Sequence, residues 1–171
     1  MRVGLLVLTV LAAAWAILVL VLSKAALILI LLPIAVSLAL LALGWRASGM
    51  AGSRGPHVGK VVGVWSGIEV VAILVAANVL QDLHRGDLIF PVVAIIVGLH
   101  FFPLARGIPA RLYNATGAGF VLAGLAGLVL TPELRPAVVG LSAALILWAT
   151  ALAITLRARA MAANQPAQST A

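Results

Sequence analysis

The sequence predicts an all-α fold, a polytopic membrane helix bundle of six transmembrane helices with both termini cytoplasmic. Three observations carry this. Of 171 residues, 64% are hydrophobic and 9% are charged. A soluble domain carries roughly a quarter charged residues, so this chain lacks the charge to cover a water-facing surface. The apolar residues gather in six runs, each near the length a helix needs to cross the hydrocarbon. The basic residues divide unevenly between the two sides that those runs define, and such a bias sets orientation.

In order, Gly4 to Leu22 is apolar without a charge, and Ser23-Lys24 interrupts it. Arg2, the apolar stretch and the small residues AAAWA (12–16) resemble a cleavable signal peptide. Hydrophobicity continues past that point to Leu22, which favours an uncleaved first helix. Ala25 to Trp45 is the second run, and the tight Ser23-Lys24 turn requires some flanking residues to unwind. RASGMAGSRGPHVGK (46–60) is a loop punctuated by Gly and Pro. Val61 to Leu80 is the third run, QDLHRGD (81–87) a turn, and Leu88 to Ala105 the fourth run. RGIPARLYN (106–114) follows as a loop with Pro109 as breaker. Ala115 to Leu130 is a weaker fifth run, closed by TPELRP (131–136), and Ala137 to Leu156 is the sixth. The tail, 157–171, lacks an apolar face and reads as disordered.

One side collects Arg2, Arg46, Arg54, Lys60, Arg106, Arg111, Arg157 and Arg159, while the other holds only Lys24, Arg85 and Arg135. The richer side is assigned to the cytoplasm of an inner, cytoplasmic membrane. Basic residues exceed acidic ones, 11 to 4, but they are scattered between apolar runs and form no face for nucleic acid. There is no cysteine, which excludes disulfides, thiolate metal sites and cysteine nucleophiles.

Helices in lipid associate through close backbone contact at small residues. Gly59, Gly63 and Gly67 form one such stripe on the third run, and Ala115, Gly119, Ala123 and Gly127 another on the fifth. Both read as helix-packing surfaces, within the chain or in a homodimer, with a sliding interface as the functional alternative.

Ionisable groups at membrane depth are costly and mark sites by default. Two qualify, Glu69 and His100. Glu69 lies nine residues past Lys60 and His100 six before Arg106, about 13 Å and about 9 Å from the same membrane edge. The short turn between the runs makes them antiparallel neighbours. A depth difference of about 5 Å is within side-chain reach, so His100 is expected to meet Glu69. Together they can share one proton as a neutral couple or as an ion pair. Pro103 removes the helical partner of the Leu99 carbonyl and is the expected hinge, and Pro91 is expected to loosen the other end. Trp65 and Ser66 share the face of Glu69 with Ile73 and Ala76, and read as pocket wall. Asn78 falls on the opposite face. The alternative is a purely structural Glu–His bond that fixes register.

Other signals are weaker. GSRGPHVGKV (52–61) lacks the first glycine and the hydroxyl residue of a phosphate-binding loop. Asp82, His84 and Asp87 read as solvated turn residues rather than a divalent-ion site. Asn114-Ala115-Thr116 matches a glycosylation acceptor but falls on the cytoplasmic side. Haem wants two axial ligands, and His100 is the sole histidine at depth, so no cofactor and no metal are expected. No intramembrane catalytic constellation is present, and an enzyme is the less favoured class.

The segment VGLHFFPLAR (97–106) resembles one in small multi-pass bacterial membrane proteins of unknown function. That resemblance implies a multi-pass fold and no particular activity. ILLPIA (30–35) echoes HFFPLA (100–105), but little else aligns, so no inverted repeat is inferred. The expectation from sequence is a permease-like or proton-linked transport protein for a small solute, in contact with the lipid bilayer. The alternative is a membrane subunit or scaffold.

Overall fold

The computed structural model describes residues 2–24, 26–47, 56–107 and 111–163. Those residues form six α-helices, α1 (Arg2–Leu22), α2 (Leu31–Ala47), α3 (Pro56–Asp82), α4 (Ile89–Gly107), α5 (Arg111–Val129) and α6 (Arg135–Ala163). Each, α2 together with the 3-10 turn before it, supplies a segment long and apolar enough to cross a membrane. Short 3-10 turns, Leu27–Ile30 and Gly86–Leu88, lead into α2 and α4.

The boundaries depart from the sequence expectation at charged and alanine-rich ends. Residues 56–60, expected in a loop, begin α3, with Pro56 at the first helical position, where its missing N–H costs nothing. Residues 157–163, expected to be disordered, extend α6 through Ala163. Alanine and arginine are strong helix formers, and a helix already nucleated adds residues cheaply. The extension is also anchored, because Arg159 donates from Nη2 to the Leu43 carbonyl near the C-terminus of α2 (3.2 Å), where a cation suits the helix dipole. The second run unwinds at its start. Lys24 turns left-handed (φ 51°) and Ala26 is extended before the 3-10 turn begins.

Helix α6 is the hub and packs on α1, α2, α4 and α5, whereas α3 makes its substantial contacts with α4 and the turn between them. The centre is built of small residues. Ala12 of α1 and Ala143, Ala144 and Ala151 of α6 are fully buried, letting backbones approach. Around them Trp15 meets Phe90 and Phe120 edge-on, and Phe101 lies against Tyr113 and Phe120.

Helices α4 and α5 approach backbone to backbone through glycines outside the stripes read from sequence. A Cβ on Gly98 would lie 2.8 Å from the Gly117 carbonyl oxygen, and one on Gly117 would lie 2.7 Å from that of Gly98. One on Gly124 would lie 2.7 Å from the Pro91 carbonyl. In the fifth-run stripe, Gly119 faces Ile146 of α6, Gly127 lies under Val139 and Pro91, and Ala123 is half-buried. Pro91 does not loosen α4 as expected. It occupies the first turn, where N–H groups lack helical acceptors anyway, and it is fully buried.

Hydroxyls link the helices internally. Trp148 Nε1 donates to Ser37 Oγ (2.9 Å) and Ser37 donates to the Thr9 carbonyl (3.0 Å), tying α6, α2 and α1. Thr116 of α5 and Thr150 of α6 lie 2.8 Å apart, and each also reaches its own i−4 carbonyl. Two hydroxyl protons serve these three contacts, so one of the three is always without a proton.

Candidate functional site

The site lies in the α3–α4 seam. Helix α3 ends in a Schellman motif. His84 is left-handed (φ 54°), its N–H donates to the Gln81 carbonyl, and Arg85 N–H donates to the Leu80 carbonyl. This reverses the chain and lays α4 antiparallel to α3. Asp87 in the turn is held by Arg135, whose Nη1 bonds to its Oδ2, and by Arg85 at 3.5 Å. Arg135 also donates to the carbonyls of Gly127 (3.2 Å) and Leu128 (3.3 Å). A buried cation therefore caps the C-terminus of α5 and fastens the α3–α4 turn to the bundle.

With the turn fixed, Glu69 Oε2 and His100 Nε2 stand 3.6 Å apart, and the two side chains are 18% and 9% exposed. His100 Nδ1 lies 3.2 Å from the Trp65 carbonyl oxygen. A carbonyl can only accept, so Nδ1 carries a proton in that contact. Nε2 then faces the carboxyl group. With one proton shared between them, the couple is GluH with neutral His, or Glu⁻ with His⁺, and in both states its net charge is zero. At 3.6 Å the two atoms are beyond direct hydrogen-bond distance, so proton transfer requires a small closure or a bridging water.

The other candidate residues are placed as follows. Trp65 offers its backbone to His100, while its side chain sits on the outside of the seam (39% exposed). Ser66 is half-buried beside it. Pro103 stands inside α4, which continues to Gly107. Leu99, whose carbonyl Pro103 deprives of its helical donor, is 55% exposed. Asn78 is exposed and donates back to the Leu74 carbonyl (2.7 Å), away from the site. Gly63 and Gly67 have nothing within 4 Å of a would-be Cβ, so among the described residues they meet no other helix there. Gly59 belongs to α3, but its surroundings lie outside the described residues, as do Arg54 and Pro109.

Among the described residues, no group of three His, Asp or Glu side chains converges as a metal site. His84 and Asp87 serve the turn instead, as left-handed residue and as ion-pair partner. Sequence reasoning missed the structural roles of Arg135, Ser37, Trp148, Thr116 and Thr150. A signal existed for Arg135, an arginine at the start of a helix where its charge opposes the dipole. Comparison with protein-family models, curated proteins and solved structures finds no match, so the reading of this site rests on its geometry alone.

Proposed function

We propose that this chain is a small permease-like, proton-linked transport protein of the cytoplasmic membrane, with Glu69 and His100 as its proton centre. The observation that carries the reading is the imidazole held between a backbone carbonyl and a carboxyl group at membrane depth. That arrangement confines one exchangeable proton between two bases of different kinds, where a small rearrangement changes its owner. Pro103 supplies the hinge on α4, and Trp65 and Ser66 border the centre. The excess of arginine and lysine in the loops on one side supports cytoplasmic termini. A second copy packed on the open Gly63–Gly67 face of α3, opposite Glu69, would pair two chains without covering the seam.

The test is reconstitution in liposomes carrying an internal pH dye. A pH gradient should drive proton movement that Glu69→Gln and His100→Ala each abolish. No flux from the unaltered protein, or flux that survives both substitutions, would refute the proposal.

A second reading is favoured by one observation. Helix α3 is held chiefly by α4, and His100 pins both a side chain and the backbone of α3, which suits a purely structural latch in a membrane subunit or scaffold. On that reading the same substitutions lower the recovered protein or its assembly and change no flux.

A further inference from the structure

We propose that the Glu69–His100 seam is loaded sideways from the bilayer by a hydrophobic organic cation, which displaces one proton. The inference rests on the proton-centre reading and names the substrate class of that same site.

The seam is at the perimeter of the bundle. The substantial contacts of α3 are with α4 and their connecting turn, so what remains exposed of Glu69 opens onto the outside of the protein. The rims of the seam are apolar and open, with Ile68 at 52%, Trp65 at 39% and Leu99 at 55% exposure. At membrane depth such rims face acyl chains, and a solute reaching Glu69 between them is one already dissolved in lipid.

The groups at the seam select its charge. Glu69 offers a carboxylate, Leu99 a carbonyl without its helical donor, Ser66 a hydroxyl oxygen, and Trp65 an indole face on the same side of α3. All are electron-rich, and aromatic faces attract organic cations strongly when desolvated. A small inorganic cation would need six or more oxygens to replace its water, which this seam does not provide. A bulky cation with delocalised or shielded charge gives up little hydration and meets both requirements, carboxylate and apolar rim.

The charge balance fixes the stoichiometry. Within the span, α3 and α4 bring no other titratable side chain to Glu69. His57 and Lys60 belong to the first turns of α3, Asp82 to its end, and Arg106 to the end of α4. The resting couple is neutral and holds one proton between Nε2 and the carboxyl group. A monovalent cation can take its place at constant net charge only if that proton leaves to water, giving Glu⁻, neutral His100 and the bound cation. Nδ1 keeps its proton on the Trp65 carbonyl throughout.

The probe is tetraphenylphosphonium, added to the full chain in weakly buffered nanodiscs containing a pH dye, with protein-free nanodiscs as background. Saturable binding with about one proton released per cation is expected. Glu69→Gln should remove both signals and Glu69→Asp should keep both. Trp65→Leu should weaken binding about threefold to thirtyfold, the range of a cation–π contact, with the proton ratio unchanged. Should Glu69→Gln not be recovered folded, the other two variants decide. No saturable binding, binding that survives Glu69→Gln, or binding without proton release overturns the inference. Proton flux in liposomes with no cation binding sinks this inference while sparing the proton centre; loss of both sinks the two together.

Discussion

Replacing Gly98 with alanine tests the central packing claim, because the same change at Gly67 is its internal control. A methyl group at Gly98 would stand 2.8 Å from the Gly117 carbonyl oxygen, 2.8 Å from the Val121 nitrogen and 2.8 Å from Val121 Cγ2. Two of these are backbone atoms that no rotamer change can move, and comfortable separations are about 3.5–4.0 Å. Helices α4 and α5 must therefore part by roughly 1 Å, which forfeits about a quarter to a half of the dispersion at the contacts affected. Overpacking of this kind costs about 3 kcal/mol at the upper end of its range, and better helix propensity returns about 1 kcal/mol. A net loss of about 2 kcal/mol follows. At Gly67 nothing lies within 4 Å, so Gly67→Ala should be neutral or up to about 1 kcal/mol stabilising. Denaturant titration of the monomeric protein in mixed micelles, followed by tryptophan fluorescence, measures both. A Gly98→Ala protein as stable as the parent would refute the close approach of α4 and α5. A Gly67→Ala monomer as damaged as Gly98→Ala would refute the peripheral position of α3.

Three further outcomes are expected in the same titration. Arg135→Ala should cost about 3 kcal/mol, since it leaves two α5 carbonyls without their cation and Asp87 with the exposed Arg85 in place of a buried partner; Asp87→Asn should cost less, because Arg135 keeps both carbonyls. Trp148→Phe should cost about 0.6 kcal/mol, the usual size of a hydrogen bond between helices in lipid, and a double-mutant cycle with Ser37→Ala should show the two effects to be coupled. His84→Gly should gain about 1 kcal/mol by relieving a left-handed side-chain residue, and loss of stability there would mean that the imidazole does more than end a helix.

What the sequence made legible was governed by depth and hydropathy. Six spans follow from composition, and the nearness of Glu69 and His100 could be worked out from two helical rises and one short turn. The ends of helices were not legible, because RARAMAA and PHVGK lack apolar patterning: the first is helical by propensity and by Arg159's contact with α2, the second by extension of α3 back to Pro56. The Gly98–Gly117 contact was hidden for a different reason. Close approach needs one glycine on each helix, and on α4 Gly98 has only Ala94 at four-residue spacing, too short a stripe to stand out along a single helix. Ser37, Thr9 and Trp148 come from three separate runs, and nothing in one run shows which hydroxyl another will meet. The contact made by the Trp65 backbone was not legible, because side-chain identity says nothing of its carbonyl, the atom that faces His100.

The first and last helices lie side by side, running in opposite directions. Leu5 meets Thr155 around Gly44 at one end, and Val19 meets Gly140 at the other. During synthesis, α1 and α2 therefore emerge with the face that meets α6 uncovered until α6 has followed them. Ser37 waits that long for the indole of Trp148, and the alanine face around Ala12 for its counterpart. The contact between α1 and α6 thus closes only after the helices between them have been made, and a chain shortened before Arg135 would lack the one helix that α1, α2, α4 and α5 share.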